Sequence, residues 1–320
     1  MPLMIEGGRI PPRWADIKSR QSGQDDTCGA SAECVRIAFV NNMPDAALED
    51  TEIQFFELLE AAAADIPVRL KLHSLYGVPR GERGQQHLSG FYFGTDDLLS
   101  DTFDGVIMTG TEPRQPDLRN EPYWSALGNV LDWAESNTAS AILSCLAAHA
   151  GVLHSDGIRR HPLGDKQFGV FDFAKAGKHQ LMASTSERVR FPHSRWNEVR
   201  AEALTASGYQ LLTQSAEGGV DSFVKMKKRS LFVHFQGHPE RNTAGTSRDF
   251  SVRNVRRIPR CRRATSMLQP RSFSTIFETA LCPIGGKNGW TPFRKLRWSV
   301  GYRIAGGAPP KRFIRTGCSI

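Results

Sequence analysis

The chain reads as an α/β protein built on a doubly wound, mostly parallel sheet. Short apolar runs rich in β-branched residues (VRIAFV at 35–40, VRLKLH at 68–73, GVIM at 105–108, SAILS at 140–144) alternate with helical stretches. Short loops, several of them ending in glycine, join the two kinds of segment. Late in the chain, DSFVKMKKRSLFVHFQ (221–236) reads as two strands around a charged turn, the signal for an antiparallel extension.

The elements follow in order. Residues 1–35 are polar, without a sustained apolar period, and read as a loosely ordered, disordered-type extension. The first strand at 35–40 suits a buried position. Asp50 or Thr51 can cap the next helix, TEIQFFELLEAAAA, whose Ile53, Phe56, Leu58 and Leu59 broadly share one face. A second strand lies at 67–75, then a polar Gly-containing loop and a short helix. The third strand, FDGVIMTG, ends in a Gly turn. YWSALGNVLDWAES is an amphipathic helix, and TASAILSC is a fourth strand running directly into the helix LAAHAGVLH. The regular pattern stops at Glu240, so residues 36–240 form the predicted domain.

With 320 residues and 40% hydrophobic content, the chain can bury a sizeable core. It has no apolar run of about 18 residues, so no membrane span is expected. Its start, MPLMIEGGRIPPRW, lacks the apolar core of a secretory signal. Six cysteines, at 28, 34, 145, 261, 282 and 318, include no C-x-x-C pair, and a reduced cytoplasm is the expected setting. The net charge of +8 is unevenly spread. Residues 241–320 hold 17 Lys and Arg against Asp249 and Glu278, a balance of +15. That leaves 24 basic and 31 acidic residues in 1–240. The tail is basic and patternless, as a shifted reading frame in a GC-rich gene would produce. A nucleic-acid-binding tail is the competing reading.

Reactive groups in an open parallel sheet gather at the carboxyl ends of strands. Cys145 sits there, between AILS and LAAHAG, facing the next helix's N-terminus. The exposed N–H groups of that helix favour a thiolate and can hold an oxyanion. A buried structural cysteine is the bland alternative. The strand SLFVHFQ ends in Gly237-His238-Pro239-Glu240, where alternation puts 238 and 240 on the same side. Glu240 could then orient the His238 imidazole as a base, the logic of nucleophile, base and orienter. Otherwise the same four residues are an ordinary surface turn. His149, one helical turn after Cys145, reads as a packing or surface histidine.

Cysteine at a strand-to-helix turn with His-x-Glu at a later strand end resembles the class I glutamine amidotransferases and their acyltransferase relatives. NNMP with TEIQFFELL, FDGVIMTGTEP with PYW, DKQFGVFDF, PHSRWNEV and QGHPE together resemble the homoserine O-succinyltransferase family over about 35–240. The resemblance implies a class I glutamine-amidotransferase-like (flavodoxin-like) fold. It implies Cys145 as acyl-thioester nucleophile, His238 as proton acceptor and Glu240 as its partner. Lys166 and Ser194 fall at substrate-binding positions, and Arg195 beside them is a candidate carboxylate clamp. Arg114 occupies the neighbourhood that sets acyl-CoA choice, where an arginine could pair with a succinyl carboxylate. Arg253 is the nearest counterpart of the arginine that binds the amino acid's carboxylate.

The sequence departs from the family in three places. No lysine follows Met43-Pro44, and the loop there reads as longer. Leu146-Ala147-Ala148 replaces the usual glycine of the elbow. After Glu240 no amphipathic helix is legible. The expected function is succinyl transfer from succinyl-CoA to homoserine, opening methionine synthesis, by ping-pong kinetics in a cytoplasmic homodimer. It needs no metal or cofactor beyond the co-substrate and no membrane. Alternatives are acetyl transfer to homoserine or serine, glutamine amide hydrolysis, and, most distantly, nucleic-acid binding.

Overall fold

The computed structural model describes residues 3–7, 9–21, 34–63 and 66–241. The expected basic tail and Arg253 therefore lie outside the described residues. An eight-stranded sheet forms the centre. Its strands are β1 (Leu3–Ile5), β2 (Val35–Val40), β3 (Val68–His73), β4 (Gly105–Met108), β5 (Ser140–Ser144), β8 (Gln210–Leu211), β11 (Ser222–Lys227) and β12 (Ser230–Phe235). They run β1-β3-β2-β4-β5-β12-β11-β8, parallel from β1 to β12 and antiparallel on either side of β11. A smaller antiparallel sheet, β10-β9-β6-β7, combines the long hairpin of β6 (His161–Lys175) and β7 (Arg188–Glu198) with β9 (Thr213–Ser215) and β10 (Gly219–Val220). The predicted mostly parallel sheet with an antiparallel extension is present.

Strand alternation divides the core into two layers. Ile37, Phe39, Ile107 and Ile142 face a cluster with α1 (Pro12–Gln21) and α2 (Asp45–Ala63), into which the second sheet sends Phe173 and Phe191. Ala38, Val40, Val106, Met108, Ala141 and Leu143 face the opposite side. That side is covered by α4 (Thr95–Ser100), α5 (Trp124–Asn137) and α6 (Leu146–Asp156). Among the described residues, α3 (Glu82–Phe91) and the short α7 (Ala201–Ala206) are the remaining α-helices.

Two expectations need correction. The first concerns residues 1–35, of which 3–5 form a strand and 12–21 a helix. β1 extends the sheet beyond β3, and Glu6 forms a two-pronged pair with Arg36 on β2 at 2.8 and 2.9 Å. Trp14 is 3% exposed and meets the Phe56 ring edge-on at 5.4 Å. The stretch PRWADIKSRQ carries only two large apolar residues at the helical spacing, Trp14 and Ile17, too few to show a period. The second correction is that α2 begins at Asp45, not at a cap on Asp50 or Thr51. The segment after Met43-Pro44 is thus the first turn of a helix, not a longer loop. Asp45 accepts from Gly81 N–H at 2.7 Å and pairs with Arg80 at 3.3 Å, which fixes the helix start.

Replacing Trp14 by alanine should destabilise the protein by about 3 kcal/mol, read as a lower urea midpoint. A midpoint unchanged within error would mean that β1 and α1 are not part of the cooperative fold. Buried histidines predict acid lability as well. Burial holds His73 down to about 4, and His149 and His234 down to about 3. Unfolded, each takes up a proton near pH 6.5, so stability is complete above that value and lost as pH falls toward the folded values. Urea midpoints at pH 7 and pH 5 should show a loss of roughly 1 kcal/mol per pH unit for each such histidine.

Candidate active site

The site forms because three neighbouring strands end together. β4, β5 and β12 are adjacent and parallel, with Met108 opposite Leu143 and Ser144 opposite Phe235. The next residues along each strand, Thr109-Gly110, Cys145 and Gln236-Gly237-His238, therefore emerge at one edge. Cys145 N–H donates to Phe235 O at 2.8 Å, locking the two turns together.

Cys145 has φ 56° and ψ −119°, a left-handed conformation that costs a non-glycine residue about 1–3 kcal/mol. This sharp turn is what carries the chain from β5 straight into α6 and lifts the sulfur above the sheet. Leu146 N–H, at the start of α6, points at the sulfur and favours its thiolate. Gly110 approaches so closely that a Cβ there would lie 2.6 Å from Leu146 N. The backbones of residues 110 and 146 thus meet beside the sulfur, where an oxyanion would develop.

His238 Nδ1 lies 2.7 Å from Glu240 Oε1, which leaves Nε2 to meet Cys145. His238 and Glu240 are both 5% exposed. Burial opposes the thiolate, but the field and hydrogen bond of His238 outweigh it and bring Cys145 below the ordinary thiol range. Burial likewise opposes the imidazolium. Cys145 and Glu240 overcome it and raise His238 well above a free histidine. Each group thus favours the charged form of the other, thiolate beside imidazolium. Glu240 is also steadied by Ser144, whose hydroxyl donates to Oε2 at 3.2 Å.

The other expected residues are distributed differently. Arg195 is 5% exposed and turned inward. Its Nε donates to His193 Nδ1, Nη1 to Asn197 O and Gln236 Oε1, and Nη2 to Gly218 O. With these donors committed to the protein, the carboxylate-clamp expectation is corrected. Strand alternation puts Ser194 on the outer side of β7, opposite Phe168. Lys166 is exposed on β6, its ammonium 5.3 Å from the Phe168 ring and 5.9 Å from that of Trp196. Arg114 is exposed on the loop after Gly110, and its backbone N–H is held by Glu121 Oε1 at 2.5 Å. His149 packs inward, with Nε2 2.9 Å from Gln236 Oε1. Beside Met43-Pro44, Arg80 reaches Met43 O and Asn41 O from the loop before α3.

Sequence reasoning missed Ser144, Gly110, Gln236, His193 and Asp221. The glycine of TGTEP and the glutamine of QGHPE stood in noticed motifs, but nothing in their spacing marked a role. Asp221 and His193 belong to segments whose meeting only the fold decides.

Iodoacetamide should alkylate Cys145 readily at pH 6, mapped by peptide mass, because the thiolate persists below the ordinary thiol range. His238→Asn should slow that alkylation at least tenfold at pH 6 and leave it near the parental rate at pH 10. Equal rates for the two proteins at pH 6 would dismantle the ion pair.

Comparison with known proteins follows the same line. A family model described as homoserine O-succinyltransferase matches residues 22–263, past the point where the regular pattern was expected to end. The chain is 42% identical over 254 residues to the homoserine O-succinyltransferase of Rhodopseudomonas palustris, covering 79% of this chain and 74% of the relative. It is 41% identical over 288 residues to that of Bradyrhizobium japonicum, covering 88% and 85%. Among solved structures, it is similar to a glutamine amidotransferase from Thermotoga maritima. The TM-score there is 0.46 and the identity 10%, with 69% of this chain and 82% of that chain covered.

Proposed function

The chain belongs to the homoserine O-succinyltransferase family, and from that premise we propose that it moves a succinyl group from succinyl-CoA to the homoserine hydroxyl through an acyl-enzyme on Cys145. The single observation carrying this reading is the contact chain Cys145–His238–Glu240 at the strand edge. Within it, the thiolate attacks the thioester carbonyl, and the oxyanion forms beside the backbones of Gly110 and Leu146. As the tetrahedral species collapses, the C–S bond to CoA breaks. The departing thiolate takes the proton from His238, giving free CoA and a succinyl thioester on Cys145. Neutral His238 then accepts the homoserine hydroxyl proton as that oxygen attacks the thioester. Collapse releases O-succinylhomoserine and restores the thiolate–imidazolium pair. Glu240 holds the imidazole in the orientation that serves both half-reactions.

Lys166 and Ser194, on the outer face of the β6–β7 hairpin, are assigned to the substrate side. Arg114, exposed on the loop leading from Gly110, is assigned to the free carboxylate of the succinyl group, which an acetyl donor lacks. The product places the reaction in methionine synthesis. A reduced cytoplasm suits a thiolate nucleophile, and a homodimer is the assembly the family suggests. Among the described residues, no helix is long and apolar enough to cross a membrane.

Purified protein incubated with succinyl-CoA should gain the mass of one succinyl group on Cys145, and homoserine should discharge it. Acetyl-CoA should label at least tenfold more slowly, and Arg114→Ala should narrow that gap. Labelling by acetyl-CoA alone would reassign the donor. Labelling only by a glutamine analogue would move the chain to amide hydrolysis.

A further inference from the structure

Beneath the His238 segment lies a row of buried polar groups that the acyl-transfer steps do not use. Arg195 Nε donates to His193 Nδ1 at 3.1 Å, which fixes the imidazole's proton on Nε2. That nitrogen lies 3.1 Å from Asp221 Oδ1, and both side chains are 0% exposed. Burial holds His193 below its ordinary value despite Asp221, so the ring is neutral. A buried cation and a buried anion thus flank an uncharged imidazole, bonded to it on the Arg195 side and in close contact on the Asp221 side.

The upper side of this row receives three consecutive backbone donors. Gln236 N–H donates to Asp221 O at 2.9 Å, and Gly237 N–H to Asp221 Oδ1 at 2.9 Å. His238 N–H donates to Pro192 O at 2.9 Å. The fit is tight, since a Cβ on Gly237 would lie 2.8 Å from Asp221 Oδ1, His193 Nε2 and Pro192 O alike. The side chain of Gln236 is pinned too, accepting from Val199 N–H and donating to Val199 O and Val220 O.

We propose that Asp221, backed by His193 and Arg195, is a positioning residue that sets the backbone of 236–238 at the height where the His238 imidazole meets the Cys145 sulfur. The inference rests on the nucleophile and base roles proposed above. A buried, partnered carboxylate that only stabilised the fold would not need to engage the base segment itself. Here the oxygen that accepts from the peptide preceding the base also lies against the His193 ring.

Asp221→Asn separates the roles by the sign of one shift. The charged or titratable groups acting on Cys145 are His238, Glu240 and Arg195, with His149 neutral beside them. By charge alone, removing the Asp221 anion leaves Arg195 less compensated, favours the thiolate and moves the alkylation midpoint down in pH. Loss of the His238 contact moves it up. The expected result is an upward shift, with alkylation of the folded protein at pH 6 at least tenfold slower than in the parent and unchanged at pH 10. A downward or absent shift overturns the proposal. Gly237→Ala alters no charge and should shift the midpoint the same way, so it decides if Asp221→Asn does not fold. No shift there overturns the proposal as well. In the unsubstituted protein, nitrogen NMR of labelled histidine should find His193 as the neutral Nε2–H tautomer from pH 6 to 9, and a protonated or Nδ1–H ring would also overturn it. Failure of the parent itself to react at low pH would instead count against the nucleophile and base roles.

Discussion

The parallel pairing of β5 with β12 is the constraint on which the rest depends. It joins segments about ninety residues apart, and its last rung, Ser144 against Phe235, determines what lies beyond. One residue further, Cys145 N–H closes onto Phe235 O, so the two turns that carry the sulfur and the imidazole leave the sheet already tied together. A slip of one residue would send every side chain of the strand to the other face and part them. β4 on the other flank brings Gly110 to the same edge, where the absence of a side chain lets the backbone close on Leu146.

Holding ions in this edge is expensive, because an unpaired charge withdrawn from water costs several kcal/mol. The protein meets that cost by pairing. Above the sheet edge, Cys145, His238 and Glu240 form one row, extended by the Ser144 hydroxyl. Below it, Arg195, neutral His193 and Asp221 form a second. The two rows meet through the peptides of 236–238, and Arg195 also acts on Cys145 by its charge.

The N-terminal strand and helix show how the same sheet is finished at its far edge. β1 covers β3, and Arg36 draws Glu6 and Asp101 together across the strand ends. Trp14 then seals α1 onto α2 with one large ring. A single tryptophan leaves almost no periodic trace, yet its burial outweighs a polar composition.

By itself the sequence determined the alternation of strand and helix, the parallel sheet with its antiparallel extension, and the positions of Cys145, His238 and Glu240. Each of these is written locally, as a period, a strand end or a two-residue spacing. Only the tertiary structure decided that Arg195 turns inward, that α2 begins at Asp45, and that residues 3–21 belong to the fold. Asp221, His193 and Gly110 likewise gained their places from contacts across 16 to 44 positions of chain, as between Gly237 and Asp221 or Gly237 and His193. Such contacts depend on which strand ends become neighbours, and strand order is a property of the folded sheet that no local pattern encodes.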